Sequence, residues 1–362
     1  MQNNSLTTDL LPSRKILFRG MQWFIIFTVV GVGIALWWKT PDHSRVLEYN
    51  LNWAFVGLVI PLVVVDYILG GIRFRLFFDG TILPCVSLWN CMRSNWANCF
   101  MGAVTPFRTG GGPAQLYILW RCGVKISQSM LVSVITFIAT LFFFLIASIT
   151  VLYVFPEGLF GSQMEKLIRG GFIVFGVLSA ALFSILLFPS IAENSVKFVF
   201  RLIPFSFGGL ERLKDLSLGL LQKGTHRFTE DFARLRKEKK AVIAATFIIT
   251  PVLFCNKFLI GYVIARVFLP DVPLGSIIGL QIIIYFLNYF APTPGASGIE
   301  EVSSVWLLGH IIPQDILILF AILLRFSTTI LAAFLGGIVI FLDLRKNIIK
   351  RPSLIKSGDG IL

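Results

Sequence analysis

Two short stretches of this chain combine residue types that could hold an ion in an apolar setting. The first, Thr105-Pro-Phe-Arg-Thr-Gly-Gly-Gly-Pro113, sets the cation Arg108 beside Gly110, Gly111 and Gly112. Glycines admit another group close to the backbone, and Pro113 suits the first position of a new helix. A helix over 113–120 would aim its unpaired N–H groups and positive dipole end at an anion, with Arg108 adding a full charge. The second stretch, Pro292-Thr-Pro-Gly-Ala-Ser-Gly-Ile-Glu-Glu301, repeats the pattern with Thr293, Pro294, Gly295 and Gly298 and then two carboxylates. Ser297-Gly-Ile-Glu300 fits a capping box, with Ser297 as the cap and Glu300 as the third helical residue. Glu300 is then either that structural cap or a coupling group. Glu301 lies outside that register and stays ionisable, able to pair with a base, take up a proton or meet a cationic group.

Three more ionisable residues, Asp66, Lys257 and Arg325, sit inside long apolar runs. Even on a lenient insertion scale each costs roughly 2.5–3.5 kcal/mol in a membrane, so each marks an ion pair or a functional group. Asp66 is also near enough to the end of its run to snorkel. Arg325 is the most isolated, with Ala321–Leu324 before it and Phe326 after it. Arg108, Lys257, Arg325 and two helix N-termini together predict an electropositive interior, for which an anionic group such as a lipid phosphate is the natural ligand. The expected binding set is Arg108, Gly110, Gly111, Gly112, Lys257, Thr293, Pro294, Gly295, Gly298, Glu301 and Arg325, with Asp66 and Glu300 as a coupling or ion-pairing couple.

The elements that must position these residues are membrane helices. Hydrophobic residues make up 56% of the 362 and charged residues 14%, and the mean hydropathy is +0.82, values far from a soluble domain. Runs of spanning length fall near 19–38, 51–70, 127–155, 168–189, 241–268 and 313–344. Two others, 84–120 and 275–311, are apolar but broken in the middle by the two stretches above. Backbone that leaves the helix at membrane depth survives only where protein buries it or a polar cavity receives it.

The net charge of +13 is distributed as the positive-inside rule demands, not as a nucleic-acid surface. It gathers at Arg14, Lys15 and Arg19, along 191–240, and at Arg345, Lys346, Lys350, Arg351 and Lys356. Both termini and 191–240 are therefore expected on the cytoplasmic side. That topology makes 84–120 start and end inside and 275–311 start and end outside. Each is a re-entrant hairpin or a pair of tilted spans, and their opposed entry is the signature of an inverted repeat; the plainer alternative is two helices joined by an ordinary Gly/Pro turn. The expected fold is thus all-α and polytopic, with about six full spans and two broken segments in a single integral domain over 1–362. Within 191–240 the apolar Leu210, Leu213, Leu221, Phe228, Phe232 and Leu235 recur among charges, which predicts a cytoplasmic amphipathic insertion.

Other chemistry finds no support. There is no phosphate-binding G-x-x-x-x-G-K-[ST] loop and no H-E-x-x-H pattern. Cys85, Cys91, Cys99, Cys122 and Cys255 lack metal-ligand spacing and read as small apolar residues. His43, His226 and His310 have no partners at motif spacing, and no nucleophile elbow is present. No cofactor, metal or catalytic role is expected.

Thr105–Val124, read T-P-F-R-T-G-G-G-P-A-Q-L-Y-I-L-W-R-C-G-V, resembles the T-P-x-x-x-G-G-x-P-x-Q-x-Y-x-L-x-x-x-G-I signature of the lysylphosphatidylglycerol synthase transmembrane family, also called flippase-like. P-T-P-G-A-S-G-I-E-E resembles its second signature, P-T-P-G-G-x-G-x-x-E, which puts the family's acidic residue on Glu301. L-L-R-F-S-T-T resembles its Arg-containing last segment, which puts that residue on Arg325. The three matches occur in order along nearly the whole chain. Gly112 and Ala296 depart from the usual residues. The resemblance implies an inner-membrane protein that moves an anionic lipid or lipid-linked molecule, standing alone without the family's soluble aminoacyltransferase domain. A membrane enzyme subunit or scaffold beside lipid- or glycan-assembly enzymes is the alternative.

Overall fold

The computed structural model describes residues 18–19, 21–26, 28–30, 33, 51–154, 170, 173, 177, 230–289 and 291–349. Among them the regular structure is helical, without a strand. A chain this apolar has that outcome forced on it, because a helix satisfies every backbone group within its own segment. Most of the expected span 168–189 and of the insertion 191–240 lies outside the described residues, and 19–38 is described only in part.

Four described helices are long and apolar enough to cross a membrane: Trp53–Arg75, Ile126–Val151, Lys240–Phe268 and Gln314–Asp343. They coincide with the runs near 51–70, 127–155, 241–268 and 313–344. Their outward faces carry bare apolar side chains such as Ile60, Ile248 and Phe334, a surface suited to lipid and not to water.

The described residues form two compact units, one from those before Val124 and from Ile249 onward, the other from Val124 to Ile248. The first unit holds every candidate residue. It opens with the apolar stretch Met21–Val30 and α1, Trp53–Arg75, whose first turn is capped by Asn52 Oδ1 accepting from the Ala54 N–H at 3.2 Å. Then comes a helical hairpin. Its limbs are α2, Leu88–Val104, capped by Ser87, and α3, Gly111–Arg121, joined through a 3₁₀ turn at Pro106–Arg108 and packed against one another.

Between the two sequence segments of this unit lies the second unit. There, α4 spans Ile126–Val154, and a short helix over 230–238 buries Phe232 and Leu235. Those are two of the apolar residues expected on an amphipathic helix, and Arg234 pairs with Glu238 one turn along at 3.3 Å. α5, Lys240–Phe268, begins in this unit, where Phe247 meets the ring of Phe142 at 5.6 Å. The rest of α5 belongs to the first unit.

A second hairpin follows, made of α6, Leu274–Tyr289, and α7, Ile299–Leu308, joined through a 3₁₀ turn at Pro294–Ala296; again the limbs pack together. The last segment is α8, Gln314–Arg325, then a π-helical turn Phe326–Ile330, then α9, Leu331–Ile349. α9 lies along α2, which α1 also flanks.

Helix length separates the hairpins from the spans. At 1.5 Å per residue, α3 and α7 reach about 17 and 15 Å, roughly half of a ~30 Å hydrocarbon core. Each broken segment therefore turns back on itself with a second limb too short to cross. Each turn immediately precedes its short limb.

Candidate functional site

The two turns share their backbone over four residues and then part, Thr109 being helical (ψ −28°) where Ser297 is extended (ψ 139°). Thr105 and Thr293 are extended (φ −119° and −79°) and each is followed by Pro. Next come two left-handed residues, Phe107 and Arg108 (φ 52° and 57°) in one, Gly295 and Ala296 (φ 59° each) in the other. The hydrogen bonds match: Arg108 N–H to Thr105 O (3.2 Å) and Thr109 N–H to Pro106 O (3.1 Å), against Ala296 N–H to Thr293 O (3.1 Å) and Ser297 N–H to Pro294 O (3.0 Å). Three non-glycine residues thus stand in a region that costs an L-residue roughly 1–2 kcal/mol, a strain kept only where the surroundings fix it. The turns pack on one another, and a Cβ at Gly295 would meet the Ala103 Cα at 3.0 Å. The two sequence breaks therefore meet.

The first turn is closed by one hydroxyl. Thr105 Oγ1 donates to Met101 O at 2.6 Å and accepts from the Gly110 N–H at 2.8 Å, tying the end of α2 to the start of α3. Asn98 Nδ2 donates to Gln115 Oε1 across the limbs at 3.1 Å. At the far end of α3, Tyr117 donates to Asp343 Oδ2 at 2.7 Å and Arg121 pairs with the same oxygen at 3.3 Å, so α3 is anchored to α9. The helix begins at Gly111, two residues before the expected start, because Pro113 lacks only an N–H that the first turn leaves unbonded anyway.

The three glycines differ. A Cβ on Gly111 would meet Asn98 Oδ1 at 2.8 Å and its carbonyl at 3.0 Å, whereas one on Gly112 would meet nothing within 4 Å. Gly111→Ala is expected to lose about 1–2 kcal/mol through crowding, while Gly112→Ala should be neutral or gain about 0.5–1 kcal/mol by restricting the unfolded chain. Unfolding of the two purified variants in detergent checks the order.

The second turn is held by Arg325, a residue only 2% exposed. Its Nη2 donates to Ser297 Oγ at 2.7 Å and to Gly295 O at 3.3 Å, and its Nη1 pairs with Glu301. Two residues of the first apolar stretch complete the enclosure: the Phe24 ring lies 5.6 Å from the guanidinium, and Thr28 donates to Ser297 Oγ at 3.2 Å. Nothing in the local sequence pointed to Phe24 or Thr28, which lie four residues apart and so share a helix face. Arg325 stands where α8 widens into the π turn, whose Leu331 N–H reaches Phe326 O; such turns recur at functional sites.

The expected capping register does not hold. α7 starts at Ile299, with Gly298 as its cap at φ 83° and Glu301 at the third position. Glu301 Oε2 accepts the Gly298 N–H at 2.7 Å, so Glu301 is the boxing carboxylate and Glu300 is the one left over. The reason is that the Ser297 hydroxyl is occupied by Arg325 and Thr28 and does not serve as the cap. Glu300 is buried, and its Oε2 has no hydrogen-bond partner.

The charges sort differently from their simple sum. Lys257 on α5 pairs with Asp66 on α1 at 2.7 Å, and their side chains keep 18% and 8% of their accessibility. Arg325 is matched by Glu301. Arg108, half-buried on the first turn, pairs with no described residue. The positive end of α7 already holds the carboxylate of Glu301, whereas the N–H of the Gly110 cap of α3 meets only the neutral Thr105 hydroxyl, so no carboxylate offsets that end. The anion-binding capacity expected of both breaks is thus left to the first, where Arg108, the first N–H groups of α3 and the open face over Gly112 come together.

Comparison with known proteins agrees with this architecture. The family described as lysylphosphatidylglycerol synthase TM region matches residues 23–336, a range containing both hairpins and Arg325. A UPF0104 membrane protein from Archaeoglobus fulgidus is 24% identical over 324 residues, 89% of this chain and 97% of that protein.

Proposed function

Because this chain belongs to the lysylphosphatidylglycerol synthase TM-region family, we propose that it is a flippase-like transporter that moves an anionic lipid or lipid-linked molecule across the cytoplasmic membrane, and not an enzyme. The observation that carries this reading is the duplicated turn: two breaks that share one left-handed turn, each leading into a short limb, and that meet one another. Paired broken helices are how transporters build a site at membrane depth, with helix N-termini turned to an anionic group. The phosphate would lie against Arg108 and the amino end of α3, and the exposed Phe107 would meet the first carbons of the acyl chain.

In this reading Arg325, Ser297 and Glu301 hold the second turn rigid so that the first can receive the ligand. Asp66 and Lys257 make an internal pair. The distribution of basic residues puts both termini on the cytoplasmic side, and the two hairpins then enter from opposite faces as halves of an inverted repeat, rocking to expose the site to each leaflet in turn.

Arg108→Asn tests the reading without confusing it with misfolding, since asparagine tolerates a left-handed backbone better than arginine. Its stability should equal or exceed that of the parent. Leaflet exchange of labelled phosphatidylglycerol in proteoliposomes should slow by about tenfold or more, the loss expected when one charge-assisted contact of about 1.5–3 kcal/mol is removed. Unchanged exchange in Arg108→Asn would remove the phosphate from this site.

A further inference from the structure

Lys257 and Arg325 each meet a carboxylate, but Arg266, near the end of α5, meets none among the described residues. It is half-buried, and its one hydrogen bond there runs from Nη1 to the Tyr262 hydroxyl at 3.3 Å. Two aromatic rings frame the rest of its head. The guanidinium carbon lies 5.1 Å from the centre of the Phe55 ring and 5.9 Å from that of Tyr262. Nε is buried with no partner, whereas Nη2, equally without a hydrogen bond, is not buried.

Aromatic rings attract a cation without neutralising it. They also keep water from part of the head, so an anion arriving at the open side feels its charge more strongly. The side chain is fixed in advance as well, because the Tyr262 hydroxyl and the Phe55 ring restrict the rotamers that a free arginine would give up on binding. A planar guanidinium held in place with free donors suits a phosphate group.

The position along α5 decides which phosphate. At 1.5 Å per residue, Lys240 and Arg266 stand about 39 Å apart along this helix, beyond a ~30 Å hydrocarbon core and close to the ~40–45 Å that includes both headgroup layers. The two cations therefore belong to opposite headgroup layers. At the Arg266 end, the Asn52 N–H donates to Val267 O at 2.9 Å, which sets the start of α1 against the last turn of α5. Trp53 is 73% exposed there and Leu51 is also bare, as befits a membrane–water interface with lipid against it.

We infer that Arg266, framed by Phe55 and Tyr262, binds the phosphate of a membrane lipid in the leaflet opposite the one that Lys240 faces. The transport reading above puts Lys240 on the cytoplasmic side, and on that reading Arg266 is an outer-leaflet docking site where lipid joins or leaves the path. The binding itself does not depend on that reading.

Two measurements test it. Purified in a neutral detergent, the parent should bind phosphatidylglycerol, counted as lipid adducts by native mass spectrometry. Arg266→Gln should weaken one of the bound lipids by about fivefold, the weight of one partly exposed ionic contact. Diacylglycerol, which lacks the phosphate, should not distinguish the two proteins. Tyr262→Phe keeps the ring and removes only the hydroxyl that fixes the guanidinium. It should weaken the same lipid by about twofold, and it reads the site if Arg266→Gln does not fold. Parent-like binding of phosphatidylglycerol in the folded variants overturns the site. Displacement of the lipid by an equal concentration of glycerol phosphate overturns the lipid assignment and makes the ligand a free phosphate ester.

In proteoliposomes, exchange by Arg266→Gln should slow about fivefold at low fractions of labelled phosphatidylglycerol, and high fractions should largely overcome the loss. Slowing that persists undiminished at saturating lipid overturns the docking role. A parent that exchanges no lipid overturns the transport reading and the docking role with it, while the adduct count in detergent still decides whether Arg266 binds lipid.

Discussion

Arg325→Met should unfold far more easily than the parent protein, losing about 3–5 kcal/mol, the usual penalty for removing one partner of a buried ion pair. Methionine fills much of the arginine's apolar volume, so little of that loss is cavity. What it leaves behind is the carboxylate of Glu301, 3% exposed, with the Gly298 N–H as its remaining partner. The Gly295 carbonyl loses its guanidinium donor, and Ser297 keeps only Thr28. The turn is left-handed at Ala296, so the strain that Arg325 opposes is released at the same time.

The double variant Arg325→Met with Glu301→Met removes both charges and should recover most of the loss, because replacing a whole buried pair with apolar groups is commonly neutral. Unfolding of the purified single and double variants in one detergent gives the coupling energy directly. A single variant within about 1 kcal/mol of the parent would show that the clamp does not hold the turn. The Asp66–Lys257 pair should be more forgiving, since Lys257 retains 18% of its accessibility and water can share the work of solvation.

What could be read from the residues in advance was whatever depends on near neighbours. Thr-Pro followed by clustered glycines cannot continue a helix, and both breaks lie where those residues stand. The long apolar runs became helices because no other structure suits that composition. The break at 292–301 shows where such reading fails. A serine three residues before a glutamate is a sound capping signal, yet Ser297 is claimed by Arg325, 28 residues further on, and the helix starts one residue later. That one-residue shift exchanges the roles of Glu300 and Glu301. The electropositive interior failed for the same reason. Lys257 and Asp66 are 191 residues apart, and a count of charges carries no information about which of them touch. Phe107 and Arg108 carry no signal for a left-handed backbone either, and only their likeness to Gly295 and Ala296 in three dimensions makes the duplication visible.

Gly336 carried no signal at all, and substituting it should have the second-largest effect. It lies on α9 where that helix crosses α2, and a Cβ there would overlap the carbonyl of Trp96 and come within 2.8 Å of the Phe100 Cβ. Small residues at such crossings let backbones approach where lipid provides no hydrophobic drive to hold helices together. The obstacle at Gly336 is main chain, which cannot rotate aside, so α2 and α9 must separate along their whole contact. Gly336→Ala should therefore cost about 3 kcal/mol, the upper part of the usual range for overpacking. Gly337→Ala is the natural control. Its Cβ would touch the Phe100 ring at 3.3 Å, and a side chain can turn, so its cost should stay below about 1 kcal/mol. Unfolding of both variants in detergent separates these cases, and equal losses would mean that the helices do not cross as closely as described. The consequence reaches the proposed site, because α2 ends in the Thr105 that closes the first turn. Displacing α2 should slow lipid exchange in Gly336→Ala even at temperatures where the protein remains folded, whereas Gly337→Ala should exchange like the parent.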